Sequence, residues 1–347
     1  MTSSSLTTFL SQNKALKGTA FTHTSLGEQK GRYYIPFDKM DKFKQLYKKA
    51  MNDGEEINIT EKHRDICPVL IDFDFRFKKE DVERRYTNTM VETLIKKYID
   101  TVSQYVEMPE NVEAYVMEKS KPVYDEQKDV VKDGFHIVLP NVVSRPSVQF
   151  LVREDMLNDV DVLLKKTNVN NINETADVFD EAVIYKNNWF MYGSCKPGKE
   201  PYKITHHWTF NNGEKIENEI LDDHIEYVDT LSIRNKYNEN NIKPEHKDKI
   251  TALDVEMHKK EQAKEDVKNK VNKQILNDEE SNFKPTCKDI ELVKSLVNLL
   301  DKKRADNYND WIQLGWLLRN IEIGLLDMWD EFSKQSNKYQ PGCCDAI

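Results

Sequence analysis

The stretch Pro68-Val69-Leu70-Ile71-Asp72-Phe73-Asp74-Phe75 combines strand-forming apolar residues with two aspartates two positions apart. Side chains alternate between the faces of a strand, so Asp72 and Asp74 share one face and the neighbouring apolar residues occupy the other. The two carboxylates then lie roughly 6 to 7 Å apart at the backbone. They repel each other unless a cation neutralises them, and hard divalent cations prefer oxygen ligands. The motif predicts half of a Mg²⁺ or Mn²⁺ site, and an edge strand with a solvated acidic face is the alternative.

Length, composition and charge narrow the class of protein. The chain has 347 residues, 38% of them apolar and 32% charged, with a net charge of −9. That length allows two or three domains, and the negative charge argues against a protein that coats duplex DNA without specificity. No run approaches the roughly 18 apolar residues of a membrane span, and the N-terminus does not look like a signal peptide. The five cysteines show no C-x-x-C spacing, which favours reduced thiols in an intracellular protein.

The periodicity of apolar residues divides the chain into four segments. Residues 1–30 are rich in Ser, Thr, Gly and Lys, and we expect them to be flexible. Residues 31–230 alternate strands and helices with hairpin-like returns, which predicts an α+β domain. Its longest predicted helix is amphipathic and runs from Glu80 to Val106. Residues 231–284 are dominated by charged residues and Asn, which predicts a charged, partly helical linker. Three apolar stripes in residues 285–347 predict a small all-α domain.

A second motif lies in the apolar strand predicted around Lys132-Asp133-Gly134-Phe135-His136. Lys132, Gly134 and His136 share one face of that strand because side chains alternate. The glycine leaves room for a ligand to approach, and the ammonium and imidazole groups can bind phosphate oxygens. A hydrogen-bonded core histidine is the alternative interpretation.

Two further pieces follow along the chain. Val178-Phe179-Asp180 is predicted to be a short strand, and Asp180 by itself is typical of a turn or a cap. The loop Gly193-Ser194-Cys195-Lys196 is either a surface turn or a phosphate cradle. The order of the pieces is more informative than any one of them: two aspartates, Gly-x-His, a third aspartate, and Gly-Ser-x-Lys.

In that order the motifs resemble the archaeo-eukaryotic primase (AEP) superfamily, and within it the primase–polymerase modules of large DNA viruses, of the poxvirus primase–helicase kind. The resemblance covers roughly residues 30–215. It implies an RRM-like core with mixed sheets flanked by helices. It also implies a nucleotidyltransferase that makes primers on single-stranded DNA from NTPs or dNTPs, with two Mg²⁺ or Mn²⁺ ions. The catalytic and metal-binding residues implied are Asp72, Asp74 and Asp180, and the nucleotide-binding residues are Lys132, Gly134, His136, Ser194 and Lys196.

One position departs from the family pattern. Phe190 stands where the family often has an arginine, and we expect Lys186 or Lys196 to do the work of that arginine. Ser120, in a polar loop, is a weaker candidate for facing the nucleotide. For the template strand, the basic and aromatic residues considered are Arg76, Lys78, Lys79, Tyr124 and Trp189.

Residues 285–347 are similar to the small helical domain that follows such primases, and in relatives a helicase with a P-loop comes next. The sequence contains no G-x-x-x-x-G-K-[ST] motif. We therefore expect a helicase domain elsewhere in a longer polypeptide, because the last residues, Lys338–Ile347, stop in a turn followed by the start of an apolar segment. For a viral protein, the expected location is the host cytoplasm or nucleus.

Two other functions compete with the primase hypothesis. A catalytically degenerate fold could serve as a nucleic-acid-binding or helicase-loading module, and Phe190 in place of arginine gives this alternative some weight. A sugar-nucleotide transferase could use an Asp-x-Asp metal site, but it explains neither the Gly-x-His strand nor the Gly-Ser-x-Lys loop.

Overall fold

The computed structural model describes residues 4–16, 18–257, 259–260 and 285–344. Its contacts divide the chain into two compact units, residues 1–260 and residues 261–347. The first unit contains both strands and helices, and the described part of the second is helical. The predicted α+β class is therefore confirmed. All strand pairs in the described residues are antiparallel, where mixed sheets were expected.

The strands of the first unit form two sheets. They are β1 (His23–Ser25), β2 (Gly31–Tyr33), β3 (Ile59–Glu61), β4 (Cys67–Phe77), β5 (Asn111–Glu118), β6 (Val123–Asp125), β7 (Val130–Ser144), β8 (Trp189–Phe190), β9 (Lys203–Asn211) and β10 (Glu214–Asn218). The larger sheet has the order β10-β9-β5-β7-β4, with β6 paired to β7, and the smaller sheet has the order β2-β1-β3-β8. Strand β4, which carries Asp72 and Asp74, is thus an edge strand of the larger sheet's main path.

In the described residues, the helices of the same unit include α1 (Ser5–Gln12), α2 (Met40–Asn52), α3 (Asn88–Tyr105), α4 (Pro146–Lys166), α5 (Thr175–Val178) and α6 (Tyr227–Thr230). Short 3-10 turns cover Phe37–Lys39, Glu181–Val183, His224–Glu226 and Pro244–His246, and residues 247–257 are also helical. Residues 261–284 of the expected linker lie outside the described residues. Within the described part of the chain, no helix has the length and apolarity needed to cross a bilayer.

The two long helices cover one face of the larger sheet. Their buried side chains pack in a single core with Val69, Ile71, Phe73 and Phe75 of β4. Helix α3 begins at Asn88, later than the expected start at Glu80, because the hydroxyl of Thr87 accepts a hydrogen bond from the Met90 backbone N–H (3.3 Å). The elements β4, α3, β5, β7, α4 and β9 follow each other in a βαββαβ order. The opposite face of the sheet is left for the smaller sheet and for the site described below.

Two local expectations differ from the structure. Residues 1–30 contain α1 and β1, and Leu6 and Leu10 of α1 are buried in the core beside the smaller sheet. The apolar side chains that looked sparse in sequence are enough to bury this short helix. The segment before Asp180, expected to be a strand, is the helical turn α5, and Phe179 alone forms an isolated bridge to Phe73.

The second unit contains α7 (Cys287–Val297), α8 (Lys303–Asp306), α9 (Tyr308–Ile321) and α10 (Leu326–Ser333), with a 3-10 turn over Ile323–Leu325. Trp329 is fully buried and stacks on Trp311 with ring centroids 4.7 Å apart. Gly315 is needed in α9 because a Cβ there would lie 2.6 Å from the Trp329 ring. The predicted stripes supply this core only in part, since Leu292, Leu296 and Leu317 are more than half exposed.

Candidate active site

Antiparallel pairing of β4 with β7 brings the first two motifs together. Asp72 lies opposite His136 and Asp74 lies opposite Gly134 in the register of the two strands. Phe73, between the two aspartates, is 1% exposed in the core under the long helices. The alternation inferred from the sequence therefore holds, and both carboxylates lie on the face opposite that core.

The third acidic residue, Asp180, is held next to Asp72 by a backbone hydrogen bond. The Asp180 N–H donates a hydrogen bond to the carbonyl of Asp72 (3.0 Å), and the rings of Phe179 and Phe73 stack at 4.9 Å. The Asp180 carboxylate also accepts from the Ala182 N–H (2.8 Å) and so begins the 3-10 turn that follows. Residues more than a hundred positions apart thus lie side by side, and Asp180 interacts electrostatically with both Asp72 and Asp74.

A buried arginine holds the loop that carries Asp180. Arg153 of α4 donates from Nε to the carbonyl of Phe179 and from a terminal nitrogen to the carbonyl of Ala176, both at 2.7 Å. Its third contact is with Glu181 at 3.3 Å. Because two main-chain carbonyls are fixed by one planar group, the position of Asp180 depends on Arg153.

The acidic residues are not neutralised by the protein itself. In the part of the chain that the structure describes, neither Asp72 nor Asp74 forms an ion pair with a lysine or an arginine. Burial raises the pKa of Asp72 well above its ordinary value, and the nearby charges of Asp74 and Asp180 raise it further. Burial also raises the pKa of Asp74, against the opposing effect of Lys132 and Arg76. Charge is therefore destabilised here unless a cation binds.

The chemistry of these donors fits a hard divalent cation. Three carboxylates supply the oxygen ligands that Mg²⁺ and Mn²⁺ prefer, and the pKa values of Asp72 and Asp74 are raised because burial outweighs the nearby lysine and arginine charges. Among the described residues, however, no three His, Cys, Asp or Glu side chains already have the mutual spacing of a metal centre. The three aspartates thus match a divalent cation in donor type and charge.

The imidazole of His136 is clamped in a fixed orientation. Its Nε2 lies 3.4 Å from a carboxylate oxygen of Asp72. Tyr202 stacks on one side with centroids 3.7 Å apart and planes 18° apart, and Trp189 contacts the ring at 4.7 Å with a tilt of 41°. Burial, followed by the charges of Lys119 and Lys196, lowers the pKa of His136 to about 3. The imidazole is therefore neutral at pH 7, and its contact with Asp72 is not an ion pair.

The two lysines predicted to bind phosphate, Lys132 and Lys196, differ in whether a carboxylate pairs with them. Lys132 forms an ion pair with Asp125 at 2.8 Å. Lys196 is exposed, and its charge acts on Asp72, Asp74 and His136. The structure therefore brings Lys196 to the site without a carboxylate partner among the described residues, whereas Lys132 has one.

Gly134 and Ser194 have structural explanations that the sequence did not indicate. A Cβ at Gly134 would lie 2.0 Å from the carbonyl oxygen of Phe73, so the missing side chain allows β4 to approach and does not make room for a ligand. Ser194 is buried, with 4% of the residue exposed. Its hydroxyl accepts hydrogen bonds from the Ile59 N–H (2.9 Å) and from the Tyr47 hydroxyl (3.0 Å). It fixes the loop to β3.

Three other residues considered from the sequence, Trp189, Ser120 and Tyr124, have partners in the structure. Trp189 is 4% exposed, so it is a core residue that packs on His136 and not a platform for template bases. Ser120 donates to Glu200 at 2.8 Å. Tyr124 remains 45% exposed, and its hydroxyl donates to Asp129 at 2.6 Å. Of the aromatic residues considered for the template, Tyr124 is the one at the surface.

Phe190, at the position of the family's arginine, lines a small cavity beside the site. The cavity is bounded by Met117, His136, Trp189, Phe190, Met191, Tyr192, Gly193, Ser194, Tyr202 and Leu231. The acidic residues are not part of this lining. The cavity therefore lies among the residues around His136 and not beside the three aspartates.

Sequence inspection missed two side chains that face the site, Lys119 and Tyr202. Lys119 follows the last residue of β5, and Tyr202 precedes β9. The period-2 pattern of β5 could have placed Lys119 on the face of Met117, but only the register of β5 with β7 places that face beside His136. Nothing in the local sequence of Tyr202 indicates its contact with an imidazole 66 positions away.

Comparison with known families agrees with this geometry. A family model described as the "C962R protein N-terminal AEP domain" matches residues 22–208, which is more than half of the chain. A second, "Primase C terminal 2", matches residues 293–347. The two matches follow the order of the α+β unit and the helical unit.

Relatives with known names come from large DNA viruses. The chain is 32% identical over 355 residues to the "Putative helicase L207/L206" of Acanthamoeba polyphaga mimivirus, which covers 94% of this chain and 36% of the relative. It is 26% identical over 371 residues to the "Putative helicase 184R" of Invertebrate iridescent virus 6, covering 93% of this chain and 36% of that protein. The chain thus spans little more than a third of the length of these relatives. It belongs to the archaeo-eukaryotic primase superfamily, as a primase module of the kind found in viral primase–helicases.

Proposed function

We propose that this chain is a DNA primase or primase–polymerase, a nucleotidyltransferase that builds primers on a single-stranded DNA template from NTPs or dNTPs. The observation that carries the proposal is the convergence of Asp72, Asp74 and Asp180, with raised pKa values for the first two and no lysine or arginine in an ion pair with those two among the described residues. A structural role would favour paired carboxylates, because unpaired ones destabilise the fold.

The residues have distinct roles in this reaction. Asp72, Asp74 and Asp180 would hold two divalent cations, Mg²⁺ or Mn²⁺. Bound there, such ions lower the pKa of an attacking 3′-hydroxyl and offset the charge on leaving pyrophosphate. His136, held by Tyr202 and Trp189, offers a neutral N–H to a phosphate oxygen, and Lys196 supplies positive charge. Catalysis then depends mainly on positioning and electrostatic complementarity.

The direct test is primer synthesis on a single-stranded template, with Mg²⁺ or Mn²⁺ and with NTPs or dNTPs in separate reactions. We expect metal-dependent synthesis by the wild type and none by the double variant Asp72→Asn/Asp74→Asn, which keeps the volume of both side chains. Glu126→Gln is the matched control, because Glu126 is an exposed carboxylate in the β6–β7 turn. Synthesis that survives in the double variant would remove the catalytic assignment.

A binding module with a degenerate catalytic fold is the second candidate. The observation that favours it is Phe190, which is partly exposed, lines the same small cavity as His136 and stands where the family often has an arginine. This candidate predicts single-stranded DNA binding by the wild type without synthesis under any combination of metal and nucleotide. The helicase activity suggested by the names of the relatives concerns a longer polypeptide, and we propose it only as a function of a domain fused to this one.

A further inference from the structure

Lys119 directly follows the last residue of β5 and lies near the imidazole of His136. Met117 of β5 lies opposite His136 of β7 and lines the same cavity. Because side chains alternate along an extended chain, Lys119 points to the same side as Met117. The end of β5 therefore directs an ammonium group toward the imidazole.

Ring contacts connect Lys119 to the acidic face. The Lys119 Nζ lies 5.0 Å from the centroid of the Tyr202 ring, a cation–π distance. Tyr202 stacks in turn on His136, whose Nε2 lies 3.4 Å from Asp72. Lys119, Tyr202 and His136 thus form a continuous stack that ends at the first carboxylate.

The backbone around Lys119 is held on both sides. Arg84 donates to the Lys119 carbonyl at 2.7 Å, and Ser120 donates to Glu200 at 2.8 Å. Glu200 lies two residues before Tyr202, so the segment that carries the ammonium and the segment that carries the ring are tied together. Lys119 is therefore positioned in advance of any ligand.

The ammonium group of Lys119 is not in direct contact with a carboxylate of the described residues. Among the described residues, Lys119 forms no ion pair and its Nζ makes no hydrogen bond. Burial and then the charge of Lys196 lower the pKa of Lys119, while the charges of Asp74 and Glu200 raise it. The positive charges of Lys119 and Lys196 therefore repel each other. Lys132, by contrast, is already paired with Asp125 at 2.8 Å. An anion with several charges would relieve the repulsion between Lys119 and Lys196, and a triphosphate is such an anion.

We propose that Lys119 binds the triphosphate of the incoming nucleotide together with Lys196. Lys119 thereby takes the phosphate-binding role that the sequence assigned to Lys132, whose ammonium group is paired with Asp125. This inference rests on the proposed function, because it assumes that a nucleoside triphosphate is the substrate.

The first experiment separates nucleotide binding from turnover. Steady-state primer extension is measured for Lys119→Met, Lys119→Arg, Lys132→Met and the control Lys121→Met, which removes an exposed charge two positions away. We expect Lys119→Met to raise the nucleotide KM about ten- to a hundredfold, the loss of one charge-assisted hydrogen bond, with a much smaller change in kcat. Lys119→Arg should restore most of the affinity, Lys132→Met should raise KM less than Lys119→Met, and Lys121→Met should match the wild type.

The second experiment needs no activity. Equilibrium binding of a nucleoside triphosphate, the corresponding monophosphate and a single-stranded oligonucleotide is measured for the same variants, with thermal midpoints to check folding. Lys119→Met should weaken triphosphate binding by the same about ten- to a hundredfold and leave the oligonucleotide unaffected. A loss confined to the oligonucleotide would place Lys119 on the template path and overturn the inference.

The two proposals fail in different ways. A wild type that neither binds nucleotide nor synthesises primers contradicts the proposed function and the inference with it. An active wild type whose Lys119→Met variant matches Lys121→Met in KM and in triphosphate affinity overturns the role of Lys119 alone.

Discussion

The carboxylates on the two faces of the larger sheet differ in whether a basic side chain pairs with them. On the face covered by the long helices, Arg84 contacts Glu118 at 2.9 Å and Asp133 at 3.0 Å. The side chains of these two acids are 6% and 1% exposed, and Glu118 also accepts from Tyr86 (2.8 Å) and Thr205 (2.6 Å). On the other face, Asp72 and Asp74 of β4 have no comparable cation among the described residues, although β4 is the neighbour of β7 in the same sheet.

This difference indicates that the charges around Arg84 stabilise the fold, whereas Asp72 and Asp74 serve to bind a ligand. Arg84 and its partners satisfy one another, so removing a member leaves an uncompensated charge in the core. Asp72 and Asp74 destabilise the fold as they stand, which is expected of residues kept for a ligand. Variants on the two faces should therefore change different properties of the protein, and the predictions below test that division in order of decreasing effect.

The largest effect is expected from Asp180→Asn. An asparagine can still accept the hydrogen bond from the Ala182 N–H, so the 3-10 turn should form, while one anionic ligand is lost. We expect primer synthesis to fall by about a thousandfold with little change in the thermal midpoint. Activity within a factor of a few of the wild type would contradict the place of Asp180 in the acidic group.

Arg84→Met tests the opposite face. Removing the guanidinium leaves Glu118 and Asp133 buried without their cation, and breaking such a pair costs about 3–5 kcal/mol of unfolding free energy. Because the Arg84 side chain is 28% exposed, we expect the lower part of that range in urea or thermal unfolding. A stability equal to that of the wild type would show that water already compensates these carboxylates.

Arg153→Lys tests how the third carboxylate is positioned. Lysine keeps the charge but cannot donate to the carbonyls of both Phe179 and Ala176 with the geometry of a planar group. We expect a fall of about tenfold in primer synthesis, equivalent to one hydrogen bond, together with a higher concentration of Mg²⁺ for half-maximal activity. Arg145→Lys is the control, because Arg145 lies in front of the same helix and pairs with Glu239 and Asp254.

The smallest effect concerns the sign of a stability change. Asp72→Asn should raise the free energy of unfolding at pH 7 by about 1 kcal/mol without divalent ions, because it removes a buried, repelled charge. Asp133→Asn, on the other face, should lower it. Since the pKa of Asp72 is raised in the folded protein, the wild type loses stability as pH rises from the ordinary carboxyl pKa through the raised one. The advantage of Asp72→Asn should therefore disappear below about pH 4, as measured by thermal unfolding across pH.

The candidate site was predictable where the chemistry is local. Alternation along β4 placed Asp72 and Asp74 on one face, and alternation along β7 placed His136 with Lys132, because a strand has a fixed period of two. The roles of Gly134 and Ser194 were not predictable, since they depend on the approach of Phe73 and Ile59 from other strands. The pairing of Lys132 with Asp125 likewise depends on the register of β6 with β7.

By itself the sequence determined the α+β class, the helical second unit, the acidic face of β4 and the order of motifs that indicates the primase family. Each of these features follows from the spacing of residues that are close together in the sequence. Only the tertiary structure decided that Asp180 lies beside Asp72 and that Arg153 holds it there. The same is true of Lys119, which reaches His136 through Tyr202. Those contacts join segments far apart in the chain, and their geometry is set by strand register and helix packing, which short-range periodicity does not encode.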